Sequence, residues 1–546
     1  MFCYQCEQTA RGTGCTISGV CGKDQPTADL QDLLLFAAKG ISMYAYRARQ
    51  NGVRDRDLDR FILEALFTTV TNVNFDAGDI ASMVHEAGKW LDHAKELYLG
   101  SCRIAGELPE NIEGPCLWRP AANMEGMLNQ AEETGILKKR EKLGDVLTGL
   151  EYLCLYGLKG MAAYADHALI LDYVDEEILG FFHMALDFLS SEHNADELTS
   201  MALKIGEMNV KTMGLLDEAN TTTFGSPVPT KVRITPLKGK AILVSGHDLL
   251  DLDNLLKQTE GKGINVYTHG EMLPAHGYPK LKKYDHLAGN YGGAWQNQRQ
   301  EFESFPGAIL MTTNCIQKPK ESYLGRIFTT GLVEWPGAVH LKNGDFQPVI
   351  EAALESPGFE KDGEEKFITV GFAARSAGSV EGKIVNLVKA GKIRHFFLIG
   401  GCDGAKQGRD YYTRLAEAVP KDCVILTLAC GKYRFNKIDF GEIEGIPRLL
   451  DVGQCNDAYS AVRIASSLAR AFGTEINNLP LSIVLSWYEQ KAIAVLLSLL
   501  SLGIKNIRIG PSLPAFITPP VLDELVTKFN LIPIGSPEDD LRKMLS

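Results

Sequence analysis

The chain has 546 residues, of which 45% are hydrophobic and 23% are charged, and its formal net charge is −12. This balance is ordinary for a globular protein, and the negative net charge argues against a broad surface for nucleic acid or anionic lipid. The sequence shows neither an apolar run long enough to span a bilayer nor the features of a secretory signal, so we expect a cytoplasmic protein without nucleic-acid or membrane partners.

The first feature along the chain is a short segment with four cysteines, Cys3, Cys6, Cys15 and Cys21. Their spacing, C-x2-C-x8-C-x5-C, suits an iron–sulfur cluster held by four thiolates, with a structural zinc ion as the alternative. A centre closed by four thiolates is suited to electron transfer and poorly suited to substrate binding. In a reducing compartment, the other cysteines are expected to be metal ligands or buried thiols rather than a disulfide framework.

From about residue 30 to residue 218, apolar residues recur every three or four positions, as in the segment 80–97. This period is typical of helices, and we predict an all-helical bundle domain that occupies residues 1–222 together with the N-terminal cysteines. Cys154 is expected to pack in the core of this domain. Segment 221–232 is rich in Gly, Ser and Pro and is predicted to be a linker.

After the linker, short apolar runs alternate with helical segments, which predicts parallel sheets covered on both faces. The predicted strands are 241–246, 264–270, 307–314, 395–401, 423–429, 448–453, 481–486 and 506–510. We divide this part near Thr369 into two Rossmann-like α/β domains, residues 223–369 and 370–546. The sequence has neither a GxGxxG motif after a strand nor a P-loop, so no nucleotide site is predicted.

Residues able to bind metal follow seven of these eight runs. In chain order they are His247, Glu271, Cys315, Cys402, Cys430, Cys455 and Glu489, and Lys491 follows two residues after the last. Taken alone, each could be a loop residue or a buried thiol, and Lys491 could be a solvated lysine. As a set they favour one site, because the binding crevice of a parallel sheet lies beyond the carboxyl ends of its strands.

The mixture of ligand types narrows the choice of metal ion. Thiolates favour iron–sulfur units, carboxylates favour harder ions, and imidazole suits iron among others, so the seven residues predict a polynuclear iron centre. Cys423 lies at the start of its run rather than at the end, and we predict that it is a core residue.

Eight motifs resemble those of the hybrid-cluster proteins, also called prismane proteins or hydroxylamine reductases. They are MFCYQCEQTA, SGHDLLDL, YTHGEMLPAHGYP, TTNCIQKP, GGCDGAKQGRDYY, LACGKYRFNK, GQCNDAYSA and SWYEQKA. The resemblance extends from Met1 into the C-terminal domain, and it implies a helical domain followed by two α/β domains.

The resemblance also implies two clusters. The N-terminal cysteines would hold a [4Fe–4S] cluster, although another branch of the family carries [2Fe–2S]. A hybrid [4Fe–2O–2S] cluster would be held by the seven residues from His247 to Glu489, with Lys491 as part of the same metal site. In oxidised members of the family, the cysteine that matches Cys402 carries a persulfide.

The activity that the resemblance implies is reduction of hydroxylamine to ammonia and water, with electrons supplied to the N-terminal cluster by an unidentified redox protein. We expect His247, Glu271, Cys402, Glu489 and Lys491 to be the catalytic residues, with the carboxylates, the imidazole and the lysine relaying protons. One alternative is reduction of nitric oxide to nitrous oxide under nitrosative stress. Others are S-nitrosylation or redox sensing through Cys402, and a relative of carbon monoxide dehydrogenase.

Overall fold

The computed structural model describes residues 1–374 and 378–546, and at residues 378–381 and 524 it describes the backbone alone. The chain forms two compact units. The first, called here the helical unit, comprises Met1–Leu215, Glu489–Leu502 and Pro514–Glu524. The second, called the sheet unit, comprises Leu216–Tyr488, Gly503–Leu513 and Leu525–Ser546. Within the described residues, no helix is long and apolar enough to cross a membrane.

The helical unit is built mainly from the first seven helices of the chain, the last of which continues into the sheet unit. Their bounds are α1 Gln25–Gln50, α2 Arg56–Thr68, α3 Ala77–Ala105, α4 Met124–Thr134, α5 Ile136–Ile170, α6 Glu176–Phe188 and α7 Ala195–Phe224. Aspartates cap the N-termini of four of these helices by accepting backbone N–H bonds, as expected for this residue type. They are Asp24, Asp55, Asp76 and Asp175.

The apolar stripe that predicted a helix over residues 80–97 is buried on one face of α3. Its fully buried members are Ile80, Val84, Ala87, Leu91 and Ala94. The helix ends where Gly106 takes the left-handed conformation, which glycine adopts without steric cost. Cys154 on α5 is fully buried, which confirms its predicted place in the core.

The first sheet of the sheet unit has six parallel strands. They are β2 Lys240–Ser245, β3 Ile264–His269, β4 Leu287–Asn290, β5 Ala308–Met311, β6 Ile327–Thr329 and β7 Val339–His340, and a separate antiparallel pair joins β1 Thr230–Arg233 to β8 Phe367–Val370. The helices of this part are α8 Leu249–Thr259, α9 Pro279–Lys282, α10 Gln298–Ser304, α11 Glu321–Leu324 and α12 Gln347–Glu355. The strand order is β4-β3-β2-β5-β6-β7.

The second sheet also has six parallel strands, in the order β13-β10-β9-β14-β15-β16. The strands of this part are β9 His395–Gly401, β10 Cys423–Leu428, β11 Glu442–Ile443, β12 Ile446–Pro447, β13 Leu449–Gly453, β14 Leu481–Ser486, β15 Arg508–Gly510 and β16 Ile532–Pro533, of which β11 and β12 form a separate antiparallel pair. Its helices are α13 Gly378–Lys389, α14 Asp410–Ala418, α15 Ala458–Phe472, α16 Gln490–Ser501, α17 Pro519–Phe529 and α18 Pro537–Leu545.

Both sheets have the doubly wound order. Counted from the first strand of each sheet, the order is 3-2-1-4-5-6, in which ligands bind where the winding direction reverses. That switch point lies between β2 and β5 in the first sheet and between β9 and β14 in the second. The predicted fold class, a helical region followed by Rossmann-like parallel sheets, is confirmed.

The predicted linker is wrong at both ends. Helix α7 continues to Phe224, with the Thr221 hydroxyl donating to Asp217 O at 2.6 Å, and β1 begins at Thr230 because it pairs with β8.

Short 3-10 helices also interrupt the loops. They are Ala10–Gly12, Pro115–Leu117, Gly270–Gly277, Trp295–Asn297, Cys430–Arg434, Cys455–Asp457 and Ile476–Asn478.

Candidate metal centres

Six of the predicted ligands lie just beyond strands of the sheet unit. In chain order they are His247 after β2, Glu271 after β3, Cys315 after β5, Cys402 after β9, Cys430 after β10 and Cys455 after β13. Because the strands within each sheet are parallel, the three residues of each sheet emerge at its carboxyl edge, where the crevice of a doubly wound sheet lies.

Three of these residues meet closely enough to share one metal ion. His247, Glu271 and Cys455 each offer a ligand atom, and these atoms lie within 4.8 Å of one another. His247 Nε2 is 3.9 Å from Glu271 Oε2, and the backbone N–H of Cys455 donates to the same carboxylate oxygen at 2.8 Å. Residues from both sheets therefore contribute to one buried group.

The imidazole of His247 is oriented by Thr313. The hydroxyl Oγ1 of Thr313 accepts the backbone N–H of His247 at 2.8 Å and lies 2.9 Å from its Nδ1. With Nδ1 engaged, Nε2 is the ring nitrogen directed toward Glu271. Metal-binding histidines commonly have their second ring nitrogen fixed in this way. Sequence reasoning missed Thr313, although it lies two residues before Cys315.

Electrostatic interactions link Cys430 to three of the other predicted ligands. Burial raises the pKa of the Cys430 thiol well above its usual value, and the negative charges of Glu271, Cys315 and Cys402 raise it further. A buried set of like charges is unfavourable unless a cation neutralises it. The donor set of imidazole, carboxylate and thiols at this place fits a metal centre, because a bound cation would favour the thiolate form.

The loop that carries Cys402 depends on a glycine. Gly401, the last residue of β9, has φ +105°, and a Cβ atom there would lie 2.2 Å from Ser486 O on β14. The Ser486 hydroxyl and the Arg409 guanidinium both donate to the carbonyl oxygen of Cys402. The backbone on which the Cys402 thiol is mounted is thus fixed from two sides.

Asp403 holds the same loop through its carboxylate. It is 1% exposed, and it accepts hydrogen bonds from Arg409 at 3.3 Å and from Arg434 at 2.8 Å. Trp295 Nε1 donates to Asp403 O at 2.8 Å, and the Trp295 ring stacks on Tyr488 with ring centroids 4.2 Å apart. Sequence reasoning missed Asp403, and its place directly after Cys402 was the available signal.

Cys423, the predicted core residue, lies at the start of β10 and is fully buried in an apolar cluster. This confirms the prediction that Cys423 is a core residue, unlike the cysteines that follow strand ends.

The four N-terminal cysteines lie in the helical unit. Cys3 and Cys15 pair as a short antiparallel bridge, with N–H···O distances of 3.0 and 2.8 Å, and Ala10 N donates to Cys15 Sγ at 3.4 Å. Burial raises the pKa of the Cys6 thiol well above its usual value, and electrostatic interactions with Cys21, Cys3 and Cys15 raise it further. Cys6 and Cys15 are buried, whereas Cys3 and Cys21 are partly exposed.

Glu489 and Lys491 also belong to the helical unit, at the start of α16. The Glu489 carboxylate caps this helix by accepting the Lys491 N–H at 2.8 Å, and Lys491 Nζ is 3.7 Å from Glu489 Oε1. Both side chains are 1% exposed, so the alternative of a solvated lysine is wrong. Along the chain, Glu489 comes three residues after the end of β14.

Gln490, between these two residues, is hydrogen-bonded to the N-terminal segment. Its Nε2 donates to Gln5 O at 2.8 Å, and Lys159 Nζ donates to Gln5 Oε1 at 2.8 Å. A Cβ atom on Gly160 would lie 2.3 Å from Gln490 O, so α5 approaches the start of α16 at a glycine.

Comparison with known proteins identifies a family and relatives that match this chain over nearly its whole length. A family model described as the Prismane/CO dehydrogenase family matches residues 1–542. The chain is 55% identical over 546 residues to a hydroxylamine reductase of Methanocella arvoryzae, covering 100% of each. It is 54% identical over 546 residues to a protein of the same name from Syntrophobacter fumaroxidans, again covering 100% of each.

Among solved structures, carbon monoxide dehydrogenase IV from Carboxydothermus hydrogenoformans has a similar fold. The TM-score is 0.56 at 14% sequence identity, covering 99% of this chain and 92% of that chain. At this identity the likeness concerns the fold alone.

Proposed function

Because the chain belongs to the Prismane/CO dehydrogenase family, we propose that it is an iron–sulfur oxidoreductase that reduces hydroxylamine to ammonia and water. The observation that carries the proposal is the group formed by His247, Glu271 and Cys455, whose ligand atoms lie within 4.8 Å of one another. It is supported by the relatives named hydroxylamine reductase, which match over their full length.

We assign the hybrid [4Fe–2O–2S] cluster to the residues that follow the strands. They are His247, Glu271, Cys315, Cys402, Cys430, Cys455 and Glu489, with Lys491 beside Glu489. The mixture of soft thiolates with imidazole and carboxylates supports a centre bridged partly by sulfide and partly by oxygen. When bound, such a cluster supplies a Lewis acid and a source of electrons to a small nitrogen compound.

We assign a [4Fe–4S] cluster to Cys3, Cys6, Cys15 and Cys21. The burial of Cys6 and Cys15 and the N–H donated to Cys15 Sγ support a cluster site, because hydrogen bonds to sulfur and exclusion of water tune such centres. The partial exposure of Cys3 and Cys21 supports entry of electrons at this edge from a redox protein.

Protons are the second requirement of the reaction. Breaking the N–O bond of hydroxylamine consumes two electrons and two protons and releases ammonia and water. Lys491 and Glu489 are both 1% exposed and lie 3.7 Å apart, so the lysine ammonium is held away from bulk water. We assign Lys491 Nζ to hold a proton for the reaction, with the Glu489, Glu271 and His247 side chains as the other groups able to move one.

None of the twelve cysteines, all of which lie in the described part of the chain, forms a disulfide, which supports a cytoplasmic location, because an oxidising compartment would favour disulfides.

Hydroxylamine turnover with a reduced dye tests the proposal on anaerobically purified protein. The wild type is expected to form ammonia as it oxidises the dye, and Glu489→Ala and Cys402→Ala are each expected to abolish turnover. Cys423→Ala is the matched control, since Cys423 is a buried thiol outside the proposed site, and it should retain turnover.

Each adverse outcome has its own meaning. Unchanged turnover in both site variants would show that the site assignment is wrong. A wild type that consumes nitric oxide but not hydroxylamine would support nitric oxide reduction as the activity. A wild type that is inactive with both compounds would favour redox sensing through Cys402. Stoichiometric nickel in the purified protein would instead indicate carbon monoxide dehydrogenase chemistry.

A further inference from the structure

Gln454 connects the loops that carry three of the proposed ligands. It directly precedes Cys455, and its side chain is 3% exposed. Its Nε2 donates to His247 O at 3.2 Å and to Glu271 O at 2.7 Å. Both hydrogens of the side-chain amide are therefore used, and the amide orientation is determined, because only the NH2 group can donate to two carbonyl oxygens.

The backbone around Gln454 is held as well. Its own N–H donates to Asp457 Oδ2 at 2.7 Å, and the next N–H, that of Cys455, donates to Glu271 Oε2 at 2.8 Å. Gln454 thus joins the loop after β13 in the second sheet to the loops after β2 and β3 in the first. These are the loops of the three residues whose ligand atoms lie within 4.8 Å of one another.

We propose that Gln454 is a positioning residue that sets the backbone of His247, Glu271 and Cys455 before the hybrid cluster is bound. The inference rests on the proposed function, which supplies the cluster. A metal site works only when its ligands are held close to the productive geometry, and removing groups that hold ligands typically lowers metal affinity about 10–100-fold. Without the amide, two buried carbonyl groups would each lose one donor, and the ligand loops would be held less firmly.

The test uses anaerobically purified full-length protein and an iron chelator. In Gln454→Glu, a carboxylate oxygen replaces the NH2 group and repels both carbonyls at unchanged side-chain length. The hybrid centre, followed by its EPR signal and by released iron, is expected to be lost at a chelator concentration about 10–100-fold lower than in the wild type. The N-terminal cluster is the internal reference, and its signal should respond to the chelator as in the wild type.

Gln258→Glu is the matched control in the same unit. Gln258 also bonds a loop through its side chain, donating to Gly344 O at 2.8 Å and accepting from Phe346 N at 3.0 Å, but it bonds none of the proposed ligands in the described structure. Its chelator sensitivity should equal that of the wild type. Equal sensitivity of Gln454→Glu and the wild type would overturn the inference.

A second variant decides the matter if Gln454→Glu does not fold. Gln454→Met keeps the length without a charge, and a folded Gln454→Met with a weakened hybrid centre and an intact N-terminal cluster supports positioning. Loss of the folded state in both variants, followed by circular dichroism, would overturn the inference in favour of a general structural role. A wild type that shows only one iron centre would instead refute the proposed function.

Discussion

Asp403 holds the loop after β9 through both its carboxylate and its backbone carbonyl. Its carboxylate is almost fully buried, and its charge is balanced by the guanidinium groups of Arg409 and Arg434. Arg409 is itself 1% exposed and also donates to Trp487 O at 2.8 Å. A buried charge network of this kind is costly to leave incomplete, because the remaining charge has neither water nor a partner.

Asp403→Asn should lower the free energy of unfolding by about 3–5 kcal/mol, since two guanidinium groups lose their counter-charge in a buried place. Guanidinium chloride denaturation measures the loss. Asp422→Asn is the control, because the Asp422–Arg394 pair has side chains 48% and 49% exposed and should contribute no more than about 1 kcal/mol. Equal losses in the two variants would contradict the role given to burial.

At the scale of helices, charged side chains are also buried where α1 meets α5. Lys39 Nζ on α1 donates to Glu151 Oε1 on α5 at 2.8 Å and to Leu189 O at 2.9 Å, and Lys139 forms a further ion pair with Glu151. Burial raises the pKa of Glu151, but the two lysines lower it more strongly, to about 2. The carboxylate form is therefore favoured in the folded protein.

The stabilisation by Glu151 should depend on pH in a definite direction. Its folded pKa of about 2 lies below the ordinary glutamate value of about 4.3, so the contribution is complete above the ordinary value and is lost as the pH falls toward 2. Glu151→Gln should cost about 3–5 kcal/mol at neutral pH, and its difference from the wild type should shrink through this window. Urea unfolding of both proteins at several pH values measures the difference, and a constant difference would contradict the assignment.

The contact between β9 and β14 gives a prediction about glycine. Gly401→Ala forces a side chain into a left-handed backbone conformation and places its Cβ 2.2 Å from Ser486 O, so the strands must separate next to Cys402. We expect a lower melting temperature together with reduced iron content. Gly391→Ala shares the positive φ, +69°, but has nothing within 4 Å of the added Cβ, so it should cost only the backbone strain of about 1–2 kcal/mol and keep its iron.

At the scale of the whole molecule, the alternation of apolar runs and helices was enough to predict two parallel sheets. It was also enough to predict that the candidate ligands follow the strands, because the crevice of a doubly wound sheet lies at the carboxyl ends of its strands. The strands that were missed, such as β4, β6, β7 and β16, are two to four residues long, too short for an apolar run to stand out.

The residues that support the site could not be predicted in the same way. Gln454 bonds Glu271, which lies 183 positions earlier, and Arg434 bonds Asp403 from 31 positions later. Contacts of this kind depend on how the sheets come together, and nothing in the local pattern around a glutamine or an arginine specifies them. The linker was misplaced for a related reason, since β1 is a strand only because β8 pairs with it.

The four N-terminal cysteines and six of the seven proposed hybrid-cluster ligands belong to different compact units, so we expect each cluster to assemble without the other. Cys3, Cys6, Cys15 and Cys21 lie in the helical unit, and six of the seven proposed hybrid-cluster ligands lie in the sheet unit. Cys3→Ser should therefore remove the EPR signal of the N-terminal centre and leave that of the hybrid centre.

Cys102→Ser is the matched control for this prediction, since Cys102 is a thiol of the same unit, 2% exposed and outside both proposed sites, and both signals should remain. With Cys3→Ser, hydroxylamine turnover by a protein donor should fall more than turnover by a small dye that can reach the hybrid centre directly. Loss of both signals in Cys3→Ser would contradict independent assembly, and equal loss of the two turnover rates would contradict the N-terminal cluster as the point of electron entry.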